Sequence, residues 1–199
     1  MSRKEQAEAS RAALVVAARA CFTERGYDDT TVAAILDRAD MARGALYHYF
    51  PGGKAQIFEA VFDLVDAEYH VQRDASLALP SAVDRLKGGV SAFLELCTDE
   101  SFARIALADA PRVIPGQGEL GSSYKLLRQQ LADAITTGEL RSLDVDATSM
   151  ALYGAIRNAG EYVIGSSDPQ AVVDVAERTI AALIDGLRDD RSGFDGEAH

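Results

Sequence analysis

Between Thr30 and Lys54 the chain gathers side chains suited to gripping a nucleic acid. An arginine guanidinium can donate two hydrogen bonds to the O6 and N7 edge of guanine, which makes Arg43 the candidate for direct base reading. The hydroxyls of Thr30, Thr31 and Tyr47, the imidazole of His48 and the ammonium of Lys54 suit phosphate oxygens, contacts that set register rather than sequence preference. Gly44 and Ala45 carry almost no side chain and would let a helix backbone come close to its target. In the third helix, Arg43 and Tyr47 share a face by their four-residue spacing, as do Gly44 and His48, while Leu46 and Phe50 turn toward a core.

Other chemistries find less support. Gly52-Gly53-Lys54 resembles the end of a phosphate-binding loop, but the glycine required five residues before Gly53 is His48, and the residue after the lysine is Ala55 rather than Ser or Thr. Gly116-Gln117-Gly118 lacks the third glycine and the preceding strand of a dinucleotide site. His48, His70 and His199 are too scattered for zinc. With 31 Asp and Glu residues, chance carboxylate pairs are expected, and no Ser-His-Asp or Cys-His arrangement stands out. The expectation is a protein without a catalytic residue, a metal or a cofactor.

Apolar residues recur at three- and four-residue steps through almost every segment, so the chain is expected to be all-α, with about nine helices. The first should run from about Lys4 to Arg25, stopped by Gly26. A second carries Val32, Ile35, Leu36 and Ala39 on one face, with Thr30 as its N-cap and Thr31 in its first turn. Asp40 and Met41 form a turn, and a third helix covers about Ala42 to Tyr49 before Phe50-Pro51-Gly52-Gly53 breaks the pattern. The fourth is striped by Ile57, Phe58, Val61, Phe62 and Val65. Helices at about Pro80–Thr98, Ser101–Asp109, Ser122–Thr137, Asp146–Gly165 and Pro169–Leu187 follow, with a loop over Pro111–Gly121 and a disordered tail from Asp189.

The chain is acidic overall, with a formal charge of −11 over 199 residues, which argues against DNA until the charge is mapped. Residues 1–55 hold eight basic and seven acidic side chains, and the other 144 hold twelve and twenty-four. A locally basic head can meet DNA while repulsion keeps the acidic body away. Cys21 and Cys97 sit among apolar residues without a metal or disulfide pattern, no stretch is long enough to span a membrane, and there is no signal-peptide pattern, so a reduced, cytoplasmic protein is expected.

The string Gly26-Tyr27, Thr30-Thr31-Val32, Ile35, Arg38-Ala39, Arg43-Gly44-Ala45-Leu46-Tyr47-His48-Tyr49-Phe50-Pro51-Gly52-Gly53-Lys54 closely resembles the DNA-binding head of the TetR family of transcriptional regulators, over about Val15 to Val61. The resemblance implies a helix-turn-helix head at residues 1–52, a ligand-sensing and dimerising body at 53–188, and a tail at 189–199. In that family the positions matching Thr30 or Thr31, Arg43, Gly44, Ala45, Tyr47, His48 and Lys54 face DNA. The chain departs from the family where Asp40-Met41-Ala42 replaces the usual Gly-Val-Ser, and at Leu36, where alanine is commoner. Ala42, itself at a DNA-facing position, lacks the hydroxyl that caps the recognition helix and reaches a phosphate.

In the body, Ala147, Ala151, Gly154 and Ala155 beside Met150 and Asn158, together with a stripe of Ala176, Ile180, Leu183, Ile184 and Leu187, suit a homodimer's four-helix bundle and therefore a palindromic operator. Phe62, Phe93, Phe102 and Tyr162, with His70, Arg104 and Asn158, are candidates for the pocket of a small, mostly apolar inducer. The competing expectation is a helical ligand carrier or enzyme whose head no longer binds DNA.

Overall fold

The computed structural model describes residues 2–115 and 122–188. Among these it contains nine α-helices and one π-helix: α1 Arg3–Asp29, α2 Val32–Ala39, α3 Arg43–Tyr49, α4 Gly53–Ser76, α5 Ala82–Leu96, the π-helix Phe102–Asp109, α6 Ala110–Val113, α7 Ser122–Thr136, α8 Val145–Ile164 and α9 Pro169–Asp185. The disordered tail expected from residue 189, and residues 116–121 of the expected loop, lie outside the described residues.

The described helices group into two compact units, one of residues 2–69 with 99–115 and the other of residues 70–98 with 122–188. In the first, α1 starts on a capping box: Ser2 Oγ accepts the Glu5 N–H (3.2 Å) while the Glu5 carboxylate accepts the Ser2 N–H (2.9 Å). Leu14, Ala18 and Phe22 of α1 are buried, as are Ile35, Leu46, Phe50, Ile57, Phe58 and Val61 from α2 to α4. The Phe58 ring meets those of Phe22 and Tyr27, each at 5.0 Å between centroids and near right angles. Large rings in edge-to-face contact supply much of the apolar area that a small three-helix head needs.

Helix α1 is interrupted at Gly26, where φ is 75° and ψ 175°, a backbone that glycine adopts without a Cβ penalty. One further turn then reaches Asp29, past the expected end at Arg25. The expected cap of α2 is also displaced by one residue. Thr31, not Thr30, is the N-cap, its hydroxyl accepting the Ala34 N–H at 3.1 Å. Thr30 is fully buried, its hydroxyl donating toward the carbonyls of Gly26 (2.7 Å) and Cys21 (3.0 Å).

In the second unit α5 packs against α7, α8 and α9, with Leu86, Leu94, Leu131, Ala134, Val163, Val173 and Ile184 at the centre. The stripe expected along α9 divides between two faces. Ala176, Ile180 and Ile184 are buried in this core, whereas Leu183, with Val175, is half exposed on the other side. Pro111, expected in a loop, stands in the first turn of α6, where a missing N–H costs no hydrogen bond.

The start of α5 is held by a carboxylate from the segment after α7. Glu139 accepts hydrogen bonds from the Ser81 hydroxyl and from the N–H groups of Ala82 (2.9 Å) and Val83 (3.1 Å), groups that a helix start otherwise leaves without partners. These contacts, the Ser81 hydroxyl foremost and opposed by burial, draw the Glu139 carboxyl from 4.5 down to about 2. A depressed carboxylate contributes stability that is present above its unfolded pKa and is lost as pH falls through the folded one. Glu139→Gln is therefore expected to cost less than about 1 kcal/mol at pH 7, the site being open to solvent. The gap between variant and wild type should close as pH falls from 4.5 toward 2. Urea melts at pH 7 and near pH 2.5 check this, and a gap that persists in acid would sink it.

Candidate nucleic-acid interface

Presentation of α3 depends on the turn before it. Asp40 takes the left-handed conformation, φ 53° and ψ 48°, which Asp tolerates better than most residues. The Met41 N–H then donates to the Leu36 carbonyl (3.0 Å) and the Asp40 N–H to that of Asp37 (3.3 Å). This is the Schellman closure that ends a helix cleanly. Across α1, Arg38 forms a two-pronged pair with Glu24 at 2.6 and 2.8 Å, tying α2 to the long helix and raising the Arg38 pKa while lowering that of Glu24.

Leu46 and Phe50 anchor α3 in the core, and the Arg11 guanidinium lies over the Phe50 ring at 4.9 Å. The opposite side is left open: Arg43, Gly44, Tyr47 and His48 are all exposed and form one continuous face. A Cβ built on Gly44 meets no atom within 4 Å, so nothing in the fold requires glycine there. Its lack of a side chain matters only toward whatever approaches from outside. Ala45 is half-buried beneath this face, and Thr31 is exposed at the start of α2. This surface can offer a guanidinium to a base edge with hydroxyl, imidazole and backbone donors on either side of it.

Ala42 is the N-cap of α3 and makes no side-chain capping hydrogen bond. Ala42→Ser is expected to stabilise the helix start by about 1 kcal/mol and to tighten DNA binding, since it adds a hydroxyl at the exposed end of the helix. Equilibrium unfolding and a DNA titration of the same variant check both parts. A serine variant no more stable and no tighter than wild type would refute it.

Thr30 does not belong to this surface, because its hydroxyl is consumed inside the head. Lys54 has a structural task of its own. Its Nζ donates to the carbonyls of Tyr27 (2.9 Å) and Asp28 (3.4 Å) and lies 4.3 Å from the centre of the Tyr27 ring.

A group not anticipated from sequence grips the same Gly26–Asp28 segment. Asp109, buried at the end of the π-helix, accepts the Tyr27 N–H at 2.9 Å and pairs with Arg112 at 2.6 Å and Arg104 at 3.4 Å. Arg112 reaches on to Asp28 at 3.1 Å, and the two acids together raise its pKa. Arg104 also points a nitrogen at the Arg25 carbonyl, 3.4 Å away, and packs so closely on Gly26 that a Cβ there would fall 1.8 Å from its guanidinium. A charged residue in an amphipathic segment gives no sequence sign of burial, so this cluster was not legible.

The seven candidates for an inducer pocket are divided between the two units, three in the first and four in the second. In the first unit Phe62 and Phe102 are buried, Phe102 with its ring 5.9 Å from that of Tyr69, and Arg104 is committed to Asp109. In the second unit His70 is half-buried, and Phe93 packs on Gly160, where a Cβ would come within 2.8 Å of its ring. Asn158 and Tyr162 are exposed on the outer side of α8, Tyr162 by 65%. They are corrected from pocket lining to surface, since their spacing of four residues puts both on the face turned away from the core. Burial pushes the Cys97 thiol up to about 12, so it stays protonated and inert near neutral pH.

Residues 14–61 match the family described as bacterial regulatory proteins, tetR family, and residues 83–187 match the tetracyclin repressor-like C-terminal domain. The HTH-type transcriptional repressor KstR2 of Mycobacterium tuberculosis is 32% identical over 150 residues, spanning 71% of this chain and 74% of that protein. ArpR of Pseudomonas putida, an HTH-type transcriptional regulator, is 27% identical over 93% of this chain and 94% of its own. The crystal structure of a TetR-family regulator from Pectobacterium atrosepticum superimposes with a TM-score of 0.71 at 28% identity, covering 94% of this chain and 98% of that one.

Proposed function

Because the chain belongs to the TetR family of transcriptional regulators, we propose that this ligand-responsive DNA-binding protein is a repressor. It binds a palindromic operator as a homodimer and is released by a small, mostly apolar inducer. The observation that carries the reading is the open face of α3, Arg43, Gly44, Tyr47 and His48, on a helix fixed from behind by Leu46 and Phe50. Arg43 reads a guanine edge in the major groove, and Thr31, Tyr47 and His48 set the register on phosphates. Residues 1–52 act as the reading head and 53–188 as the sensing and dimerising body, with no catalytic step, metal or cofactor.

The outer faces of α8 and α9 support the homodimer. Met150, Tyr162 and Ile164 on α8 and Val175 and Leu183 on α9 are large apolar side chains left 40–65% exposed. Gly154 of α8 has open space where a Cβ would stand, which suits close approach of a second helix. A two-fold axis through such a bundle places two copies of α3 one or more helical turns of DNA apart, and inducer binding alters that separation. Among the described residues no helix is long and apolar enough to cross a membrane, and the proposed work on chromosomal DNA belongs in the cytoplasm.

The test is a gel-shift titration against DNA flanking the protein's own gene, at two salt concentrations with unrelated DNA as competitor, together with light scattering to count protomers. Selective retardation that weakens with salt, by a species of two protomers, is the expected result. Retardation no stronger than the competitor's would abandon the repressor reading, and binding by a monomer would abandon the palindrome.

A further inference from the structure

Residues 1–55 carry eight basic side chains, and half of them have partners within the protein. Arg19 is paired with Glu68 and Arg38 with Glu24, each at 2.6 Å, and Lys4 faces Glu8 at 3.9 Å. Lys54, a phosphate candidate by resemblance, has its Nζ on two backbone carbonyls. Arg3, Arg11, Arg25 and Arg43 have no ion-pair partner among the described residues.

Two of these four cations stand at the ends of α3. Arg43 is its first residue, and Arg11, reaching from α1, lies 4.9 Å from the ring centre of Phe50, its C-cap. Phe50 is 1% exposed while Arg11 is exposed, so a buried ring serves as a fixed seat beneath a guanidinium that is open to solvent. A ring attracts the charge but, unlike a carboxylate, does not cancel it. The seven residues of α3 rise about 10 Å, and the major groove between its two phosphate rows is about 12 Å wide. With Arg43 at the base edges, the other end of so short a helix comes within an arginine's reach of a phosphate row.

We propose that Arg11 is a further DNA contact, a clamp on a backbone phosphate at the end of α3 opposite Arg43. This rests on the reading of α3 as the recognition helix and adds a residue outside the helix-turn-helix to its binding machinery. A guanidinium gives two parallel N–H donors to two phosphate oxygens. A phosphate carries no base information, so Arg11 supplies affinity and fixes the seating of α3, whereas Arg43 supplies discrimination. The seat on Phe50 places the side chain in advance and reduces the freedom lost on binding. The acid nearest to Arg11 along α1, Glu8, is three residues away and turned to Lys4.

The test compares wild type, Arg11→Met and Arg11→Lys in titrations against operator and unrelated DNA at several salt concentrations. Methionine keeps an apolar cover on Phe50 and removes the charge, and lysine keeps the charge. Arg11→Met should bind both DNAs about tenfold more weakly at low salt, and its plot of log K against log salt should be shallower by about 0.9. The ratio between operator and unrelated DNA should not change, and Arg11→Lys should keep the wild-type slope. Arg11→Gln repeats the charge removal should methionine impair folding in thermal melts. A wild-type slope in the uncharged variant, whatever its affinity, would overturn the clamp, because a merely structural role leaves the number of phosphate contacts as it was. A changed operator ratio would overturn it too, by making Arg11 a base reader. Wild type separates the remaining failures: if it does not distinguish operator from unrelated DNA, the recognition-helix reading fails, whereas specific wild-type binding with an unaltered slope in Arg11→Met sinks only this contact.

Discussion

Arg43→Ala is expected to lower the discrimination between the operator and a copy with its guanine contact mutated by about 1–3 kcal/mol, a five- to more than hundredfold loss. The side chain is exposed at the first position of α3, so the variant should unfold at the same denaturant concentration as wild type. Its binding to unrelated DNA should fall only by the loss of one positive charge, and its salt dependence should become slightly shallower. Titrations against matched and mutated operators at two salt concentrations measure all three. An unchanged ratio between the two operators would remove Arg43 from base reading and leave it as a phosphate contact. Arg43→Lys is the control, because an ammonium keeps the charge and loses the two-pronged geometry.

The largest effect on stability is expected at Asp109. Its carboxylate is 2% exposed and serves a backbone N–H and two guanidinium groups. Asp109→Ala strands the Tyr27 N–H in the interior and opens a small cavity, at a cost of about 2–4 kcal/mol. Water can take over part of the task for Arg104 and Arg112, which are half exposed, and the figure is discounted accordingly. Asp109→Asn keeps an acceptor for the Tyr27 N–H and should lose about half as much. Operator affinity should fall in the same order, because the segment that Asp109 grips leads directly into α2. Equilibrium urea unfolding of the two variants decides the matter, and an alanine variant within about 0.5 kcal/mol of wild type would show that the cluster carries little of the head's stability.

The features legible in the sequence are those set by local spacing. The face of α3 follows from the four-residue interval between Arg43 and Tyr47, and its unassisted N-cap from the single residue Ala42. Where two neighbours were equally suited, spacing could not choose. Thr30 and Thr31 both carry a capping hydroxyl, and only the break at Gly26, whose carbonyl takes up the Thr30 proton, decides which is inside. Helix α9 is apolar on two sides, so a stripe read from sequence mixed Leu183 with the core residues Ala176, Ile180 and Ile184. Asn158 and Tyr162 were grouped with pocket residues by type, and which side of α8 they occupy depends on how α8 lies against α5 and α9. The Asp109 cluster depends on residues 82 positions apart, a separation over which a single sequence carries no pairing signal.

Between Phe102 and Asp109 the backbone is wound as a π-helix, and the Ala110 N–H closes on the Ile105 carbonyl, five residues back rather than four. Such a winding holds one residue more in each hydrogen-bonded ring than an α-helix does. The extra residue carries everything after it further round the helix axis than an α-helix would, and Asp109, the last residue of the segment, is carried round with it. One residue held in the winding thus sets the direction from which the carboxylate meets the Tyr27 N–H. In mechanical terms the segment is a shim that brings the jaw of a clamp into line.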